Sequence, residues 1–132
     1  MHKIEKLTAT KFQHGSELLL NVAIKLDNGL LVQGDIPVYS SNPEEAITKA
    51  LGIINDIIAQ IFDGINPLHQ KELDKMLTEL TTVHNQDALA INISLGISLV
   101  LLKAAAALHN KPVQKYLEAI YSLEQRSSQQ AV

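Results

Sequence analysis

The sequence predicts an α+β fold: a three-stranded antiparallel β-meander followed by about four helices. Three observations carry that prediction. Through the first third, apolar residues alternate with period two, the mark of a half-buried strand. From position 43 onward they recur at three- and four-residue spacing, the mark of a helix with one buried face. All strands precede all helices, a segregation that belongs to α+β rather than to a parallel α/β sheet.

The opening segment, Lys3 to Phe12, is β-like, with imperfect alternation. His14-Gly15-Ser16 supplies a turn. From Leu18 to Leu26 the alternation is strict: Leu18, Leu20, Val22, Ile24 and Leu26 point one way, Asn21, Ala23 and Lys25 the other. Asp27-Asn28-Gly29 turns the chain, since Asn and Gly tolerate positive φ. Leu30 to Val38 then alternates again, with Leu30, Val32, Gly34, Ile36 and Val38 on one face. One face of this meander is expected to be packed and the other partly wet.

The change to helix comes at Ser40-Ser41-Asn42-Pro43. Asn42 is a good N-cap, Pro43 fits the first helical position, and Glu45 can close a capping box. Ile47, Leu51, Ile54, Ile58 and Ile61 form the first helical stripe, and Asp63-Gly64 ends it. Asn66-Pro67 repeats the cap-plus-proline start, followed by Leu73, Met76, Leu77 and Leu80. A polar break, Thr81 to Gln86, precedes a long apolar helix from about Asp87 to Leu108. His109-Asn110-Lys111-Pro112 breaks again, and Val113, Tyr116, Leu117 and Ile120 stripe a short fourth helix. A three-stranded sheet cannot bury its apolar face alone, so the helices must cover it, with the long one at the centre.

The 132 residues are one domain's worth of chain, read as a single domain over 1–123 and a polar tail over 124–132. Lys plus Arg is 11 and Asp plus Glu 14, a net charge of −3. That mild acidity argues against nucleic acid, which needs a dense basic face. The absence of cysteine excludes disulfides, thiolate zinc sites, iron–sulfur clusters and a cysteine nucleophile, and fits a cytoplasmic protein. Lys3, Glu5, Lys6 and Lys11 interrupt any apolar N-terminal run, unlike a secretory signal. The most apolar stretch, Ala88 to Leu102, is fifteen residues without a formal charge, short of the about 20 that span a bilayer. A core helix and no membrane are the expectation.

Few residues suggest chemistry. His2, His14, His69, His84 and His109 have no metal-ligand spacing, and each falls at a terminus, a turn or a helix end. Glu44, Glu45, Asp56, Asp63, Asp74 and Asp87 could hold Mg²⁺ or move protons. Helix N-terminal placement accounts for Glu44, Glu45 and Asp87. Ser40 and Ser41 precede a helix, where hydroxyls and free N–H groups could bind a phosphate, although turn formation explains them as well. Tyr39, Tyr116 and Tyr121 are too scattered to stack bases. Inside the apolar helix Asn92 and Ser94 stand out, because a buried Asn needs hydrogen-bond partners; a tie to a neighbouring backbone or another chain is expected. Gly96 and Ala104 to Ala107 allow close approach.

The stretch Ala88 to Leu117 resembles the enolase segment G-A-N-A-I-L-G-V-S-L-A-x-x-x-A-A-A-x-x-x-x-x-P-L-Y-x-Y-L. It matches at Asn92, Gly96, Ser98, Leu99, Ala104 to Ala106, Pro112, Tyr116 and Leu117. Ala50 to Ala59 is similar to A-V-x-N-I-N-x-x-I-A, and Gln70 to Leu80 to Q-x-x-(I/L)-D-x-x-(M/L)-x-x-L. The resemblance covers about residues 3 to 120 and implies the capping domain that precedes the catalytic barrel of enolases. It gives Asn92, Gly96 and Ser98 structural roles. Two family features differ. Gln13-His14-Gly15-Ser16-Glu17 stands where enolases carry D-S-R-G-N-P-T. Pro37-Val38-Tyr39-Ser40-Ser41-Asn42 replaces the mobile S-G-A-S-T-G loop whose serine contributes to a second Mg²⁺, leaving Ser40 as its nearest positional relative, with Ser41 beside it.

The family's barrel supplies the bases, acids and Mg²⁺ ligands. The expectation here is therefore a non-catalytic capping domain, with no catalytic, metal or cofactor residue, acting through protein–protein contact: self-association, or docking on an enolase-type partner. The alternative is the N-terminal domain of a longer, Mg²⁺-dependent enolase-superfamily lyase. A third class, a small-ligand module, has no convergent polar set behind it. Leu19, Leu31, Ile57, Ile65 and Ile97 cannot all face one core, so some are expected to meet another chain.

Overall fold

In the computed structural model, which describes residues 2–38, 40–68, 70–84 and 88–119, three strands pair in sequence order as β1 (Ile4–His14), β2 (Glu17–Leu26) and β3 (Leu31–Pro37). Both pairings are antiparallel. His14 faces Glu17 across a two-residue turn in which Gly15 has φ 62°, a conformation glycine adopts without penalty. The second turn has Gly29 at φ 87°, with the Asn28 side chain accepting from the Leu30 N–H at 3.0 Å.

The strict alternation in β2 is real: Leu20, Val22, Ile24 and Leu26 are all buried. The weaker pattern of β1 has a cause. Its register shifts between Ile4 and Lys6, and a bulge of this kind moves a strand's side chains to the other face. Ile4 and Leu7, three apart, therefore both point inward.

The first helical rod comprises α1 (Pro43–Gly52), a wide π-helical turn over Ile53–Ile58, and α2 (Ala59–Phe62). Backbone angles stay helical at both joints, so the rod is continuous. Asn42 caps it as expected, its Oδ1 accepting from the Glu45 N–H at 3.4 Å while Glu45 Oε2 accepts from the Asn42 amide at 3.0 Å. The return bond reaches the cap's side chain, not its backbone. Ile47, Ile54 and Ile58 are buried, but Phe62, not Ile61, completes the stripe. The π turn holds an extra residue, so every position beyond it is rotated by one relative to an unbroken α-helix.

Helices α3 (Gln70–His84) and α4 (Ala88–Leu108) follow. The expected break at Thr81 lies within α3, which continues through His84; extending a formed helix is far easier than starting one. Asn66-Pro67 precedes a turn, with Asn66 Oδ1 accepting from the Leu68 N–H at 2.9 Å, and α3 begins after it. α4 ends in a glycine-free Schellman motif: Asn110 takes φ 54°, and the Lys111 N–H donates to the Ala106 carbonyl at 3.0 Å. A further helical stretch covers 113–119. Tyr39, His69, Asp87, Ile120, Tyr121 and the tail 124–132 lie outside the described residues, and the side chain of Leu80 is likewise not described.

The core lies between the inner sheet face and the helices, where Phe62, Ile58, Leu73, Leu77, Ile93 and Ile97 meet Leu20, Ile24 and Ile36. A second cluster joins Leu102, Ala105 and Ala106 of α4 to Tyr116 and Val113. The Tyr116 ring sits 5.2 Å from that of His109, and burial pushes its phenol above the ordinary tyrosine value.

Candidate functional site

Helix α4 carries 21 residues and one formal charge, Lys103. A helix apolar on all sides gives no periodicity by which to orient it. Its neighbours divide it into three faces. Ile93, Ile97, Val100, Leu101 and Ala104 enter the main core, and Leu102, Ala105 and Ala106 the second cluster. The remaining stripe, Ile91, Leu95 and Leu99, is bare, at 56%, 61% and 58% exposure. Three large aliphatic side chains at i, i+4 and i+8 lie on one line along the helix. Of the five positions expected to be left over, Ile97 is fully buried and Ile65 packs against the core, whereas Leu31 is exposed; Leu19 and Ile57 are half-buried.

Two contacts hold α4 in this orientation. Gly96 lies against Ile36 of β3, and a Cβ built on it would fall on Ile36 Cγ1 and Cδ1. Ser98 Oγ donates to Asp74 Oδ1 at 2.7 Å, tying α4 to α3. Asn92 is half-buried on the same helix. A residue not singled out for a role is Asn55, in the π turn. Its Oδ1 accepts from the Ala9 N–H at 2.9 Å, and its amide donates to the Ala9 carbonyl at 3.0 Å. The signal for it was present as the second Asn of the A-V-x-N-I-N pattern.

Ser40 and Ser41 do not converge with the carboxylates. Ser40 Oγ accepts from the Asn42 N–H at 3.1 Å. Glu44 pairs with Lys11 at 3.2 Å, and Glu45 serves the cap. Among the described residues, no group of three His, Asp or Glu could hold a metal ion. Ser40 is engaged by its own turn, Glu45 by the cap and Glu44 by Lys11 of β1, and this set does not fit a magnesium site. Asp56 and Asp63 are exposed and separate. Of the histidines, His2 faces Asp27 at 3.2 Å, at the surface. Among the described residues, the bare stripe of α4 places three of the exposed large apolar side chains on one line.

Comparison with known proteins agrees with this architecture. The profile for the N-terminal domain of enolase matches residues 20–117. Enolase from Ehrlichia canis is 36% identical over 74 residues, 56% of this chain and 18% of that protein. Enolase from Anaplasma phagocytophilum is 37% identical over 78 residues, 59% of this chain and 18% of that protein. The chain thus spans less than a fifth of the length of these curated relatives in the matched region. Among solved structures, a mandelate racemase/muconate lactonizing protein from Paracoccus denitrificans superposes with a TM-score of 0.72 at 22% identity, covering 89% of this chain and 30% of that one. The same protein is also known complexed with magnesium. At that identity the likeness is one of fold.

Proposed function

Because the chain belongs to the enolase N-terminal domain family, matched over residues 20–117, we propose that it is a non-catalytic capping domain whose work is protein–protein contact. The contact surface is the α4 stripe, and the partner is a second copy or an enolase-type protein. The observation that carries this reading is the exposure of Ile91, Leu95 and Leu99 by more than half, on a helix whose other faces are in the core. Aligned apolar side chains left in water are a recurrent mark of interaction surfaces. Light scattering at high micromolar concentration is expected to show a species heavier than 14.5 kDa, and Leu95→Glu is expected to reduce it to a monomer without changing the fold. A monodisperse wild-type monomer that binds no hydrophobic dye would sink the self-associating form.

The non-catalytic part rests on the Ser40 region, where the hydroxyl and the neighbouring carboxylates are engaged by the turn, the helix cap and Lys11. With Mg²⁺ present, the purified 132-residue chain is expected to dehydrate no 2-phosphoglycerate above a matched blank cleared of host enolase. Turnover above that blank would end this reading. A second reading has its own support: the match falls within 18% of the length of each enolase, which fits the N-terminal domain of a longer lyase. In that case the α4 stripe would meet the rest of the same chain.

A further inference from the structure

The strand order β1-β2-β3 gives the sheet two edges. The β1 edge is covered at Ile4 and Ala9. The Ile4 N–H donates to the Ile65 carbonyl, the Gly64 N–H donates to the Ile4 carbonyl, both at 2.8 Å, and Asn55 takes both main-chain groups of Ala9. The β3 edge is different. In an antiparallel strand the outward main-chain groups belong to every second residue, and on β3 the outward set includes Gln33, with Leu31 and Asp35 on either side. Among the described residues one contact reaches it: Lys103 Nζ donates to the Gln33 carbonyl at 3.3 Å. Lys103 is the single charge in α4. It arrives beside Gly34, where an added Cβ would lie 3.4 Å from Nζ.

An edge strand of seven residues that begins with exposed Leu31 is a template for another strand. An ammonium placed on it opposes that pairing, because an incoming strand must displace the charge from the carbonyl and strip its water. We propose that Lys103 guards the β3 edge. Its ammonium keeps β3 closed to strand addition, and loss of that charge lets β3 of a second copy pair with it, joining two three-stranded sheets into one of six. Lys103 continues the line of Ile91, Leu95 and Leu99 by one further helical step, so exchange at the β3 amides, and not mass alone, separates this inference from association through the α4 stripe.

The test uses the whole chain, with Lys103→Met, Lys103→Gln as a second neutral variant, and Lys103→Arg to retain the charge. Circular dichroism identifies the folded variants. In the folded neutral variants, hydrogen exchange at the Leu31, Gln33 and Asp35 amides is expected to slow at least tenfold with rising concentration, together with a doubling of mass relative to wild type at the same concentration. Lys103→Arg is expected to exchange as wild type. Adding Asp35→Pro removes an outward N–H without touching the β2 ladder, and is expected to reverse both effects. Unchanged exchange at the three amides in a folded neutral variant, from micromolar to millimolar concentration, overturns the proposal. So does equal slowing in Lys103→Arg, or failure of both neutral variants to fold, which would make Lys103 a structural residue instead.

Discussion

Gly96→Leu is expected to prevent folding, and Gly96→Ala to lower the melting temperature by several degrees. The Cβ of either residue would fall on Cγ1 and Cδ1 of Ile36, which is buried on β3. A β-branched side chain in a strand has little rotamer freedom with which to withdraw. Overpacking of this kind costs about 1–3 kcal/mol for a small addition and more for a large one. Replacing a helical glycine by alanine returns at most about 1 kcal/mol of helix propensity. For alanine the clash outweighs the gain; for leucine nothing offsets it. The clash is pairwise, so Gly96→Ala combined with Ile36→Val should be less destabilising than the sum of the two single changes. Urea denaturation measures all three, and a Gly96→Ala protein as stable as wild type would show that α4 can stand away from β3.

Asn55→Leu is expected to lose several kcal/mol in the same assay. The substitution strands both the N–H and the carbonyl of Ala9, which Asn55 satisfies from the helix side. An unpaired, partly buried polar group costs about 1–3 kcal/mol, and here there are two. Asn55→Asp separates the two bonds: its carboxylate still accepts from the Ala9 N–H but faces the Ala9 carbonyl with no donor. It should fall between wild type and Asn55→Leu. If Asn55→Leu unfolds at the wild-type urea midpoint, the β1 edge is held by Gly64 and Ile65 alone.

How much of this was legible beforehand follows from what each segment repeats. Strand β2 alternates from Leu20 onward, so its inward residues were readable at Leu20, Val22, Ile24 and Leu26. The Asn42-Pro43 start was readable because a cap is local chemistry. The exchange of Ile61 for Phe62 was not, since nothing in the local composition marks a π turn and the stripe was extended at α-helical pitch. The face of α4 was unreadable for a related reason. Apolar residues occupy all its sides, so Ile97 and Leu95 differ only in what lies opposite them, Ile97 entering the core and Leu95 facing solvent. The site depends on that orientation, which only tertiary packing supplies. The family was legible because Asn92, Gly96, Ser98 and Pro112 stand at family spacing, and spacing survives when periodicity carries no information.

The π turn has a bearing on how this domain can vary in length. Between Gly52 and Ala59 the helix accommodates one residue beyond what an α-helix of the same rise would hold. Removing Asp56 or Ile57 would shorten the steps Ile54–Ile58–Phe62 from four and four residues to three and four. That is ordinary α-helical spacing for a single face, so the same apolar anchors would still reach the core. Most helices cannot lose a residue, because everything downstream rotates by about 100°. Here the rotation would cancel one already present. The segment is thus a place where the gene can lose a codon while the domain keeps its core.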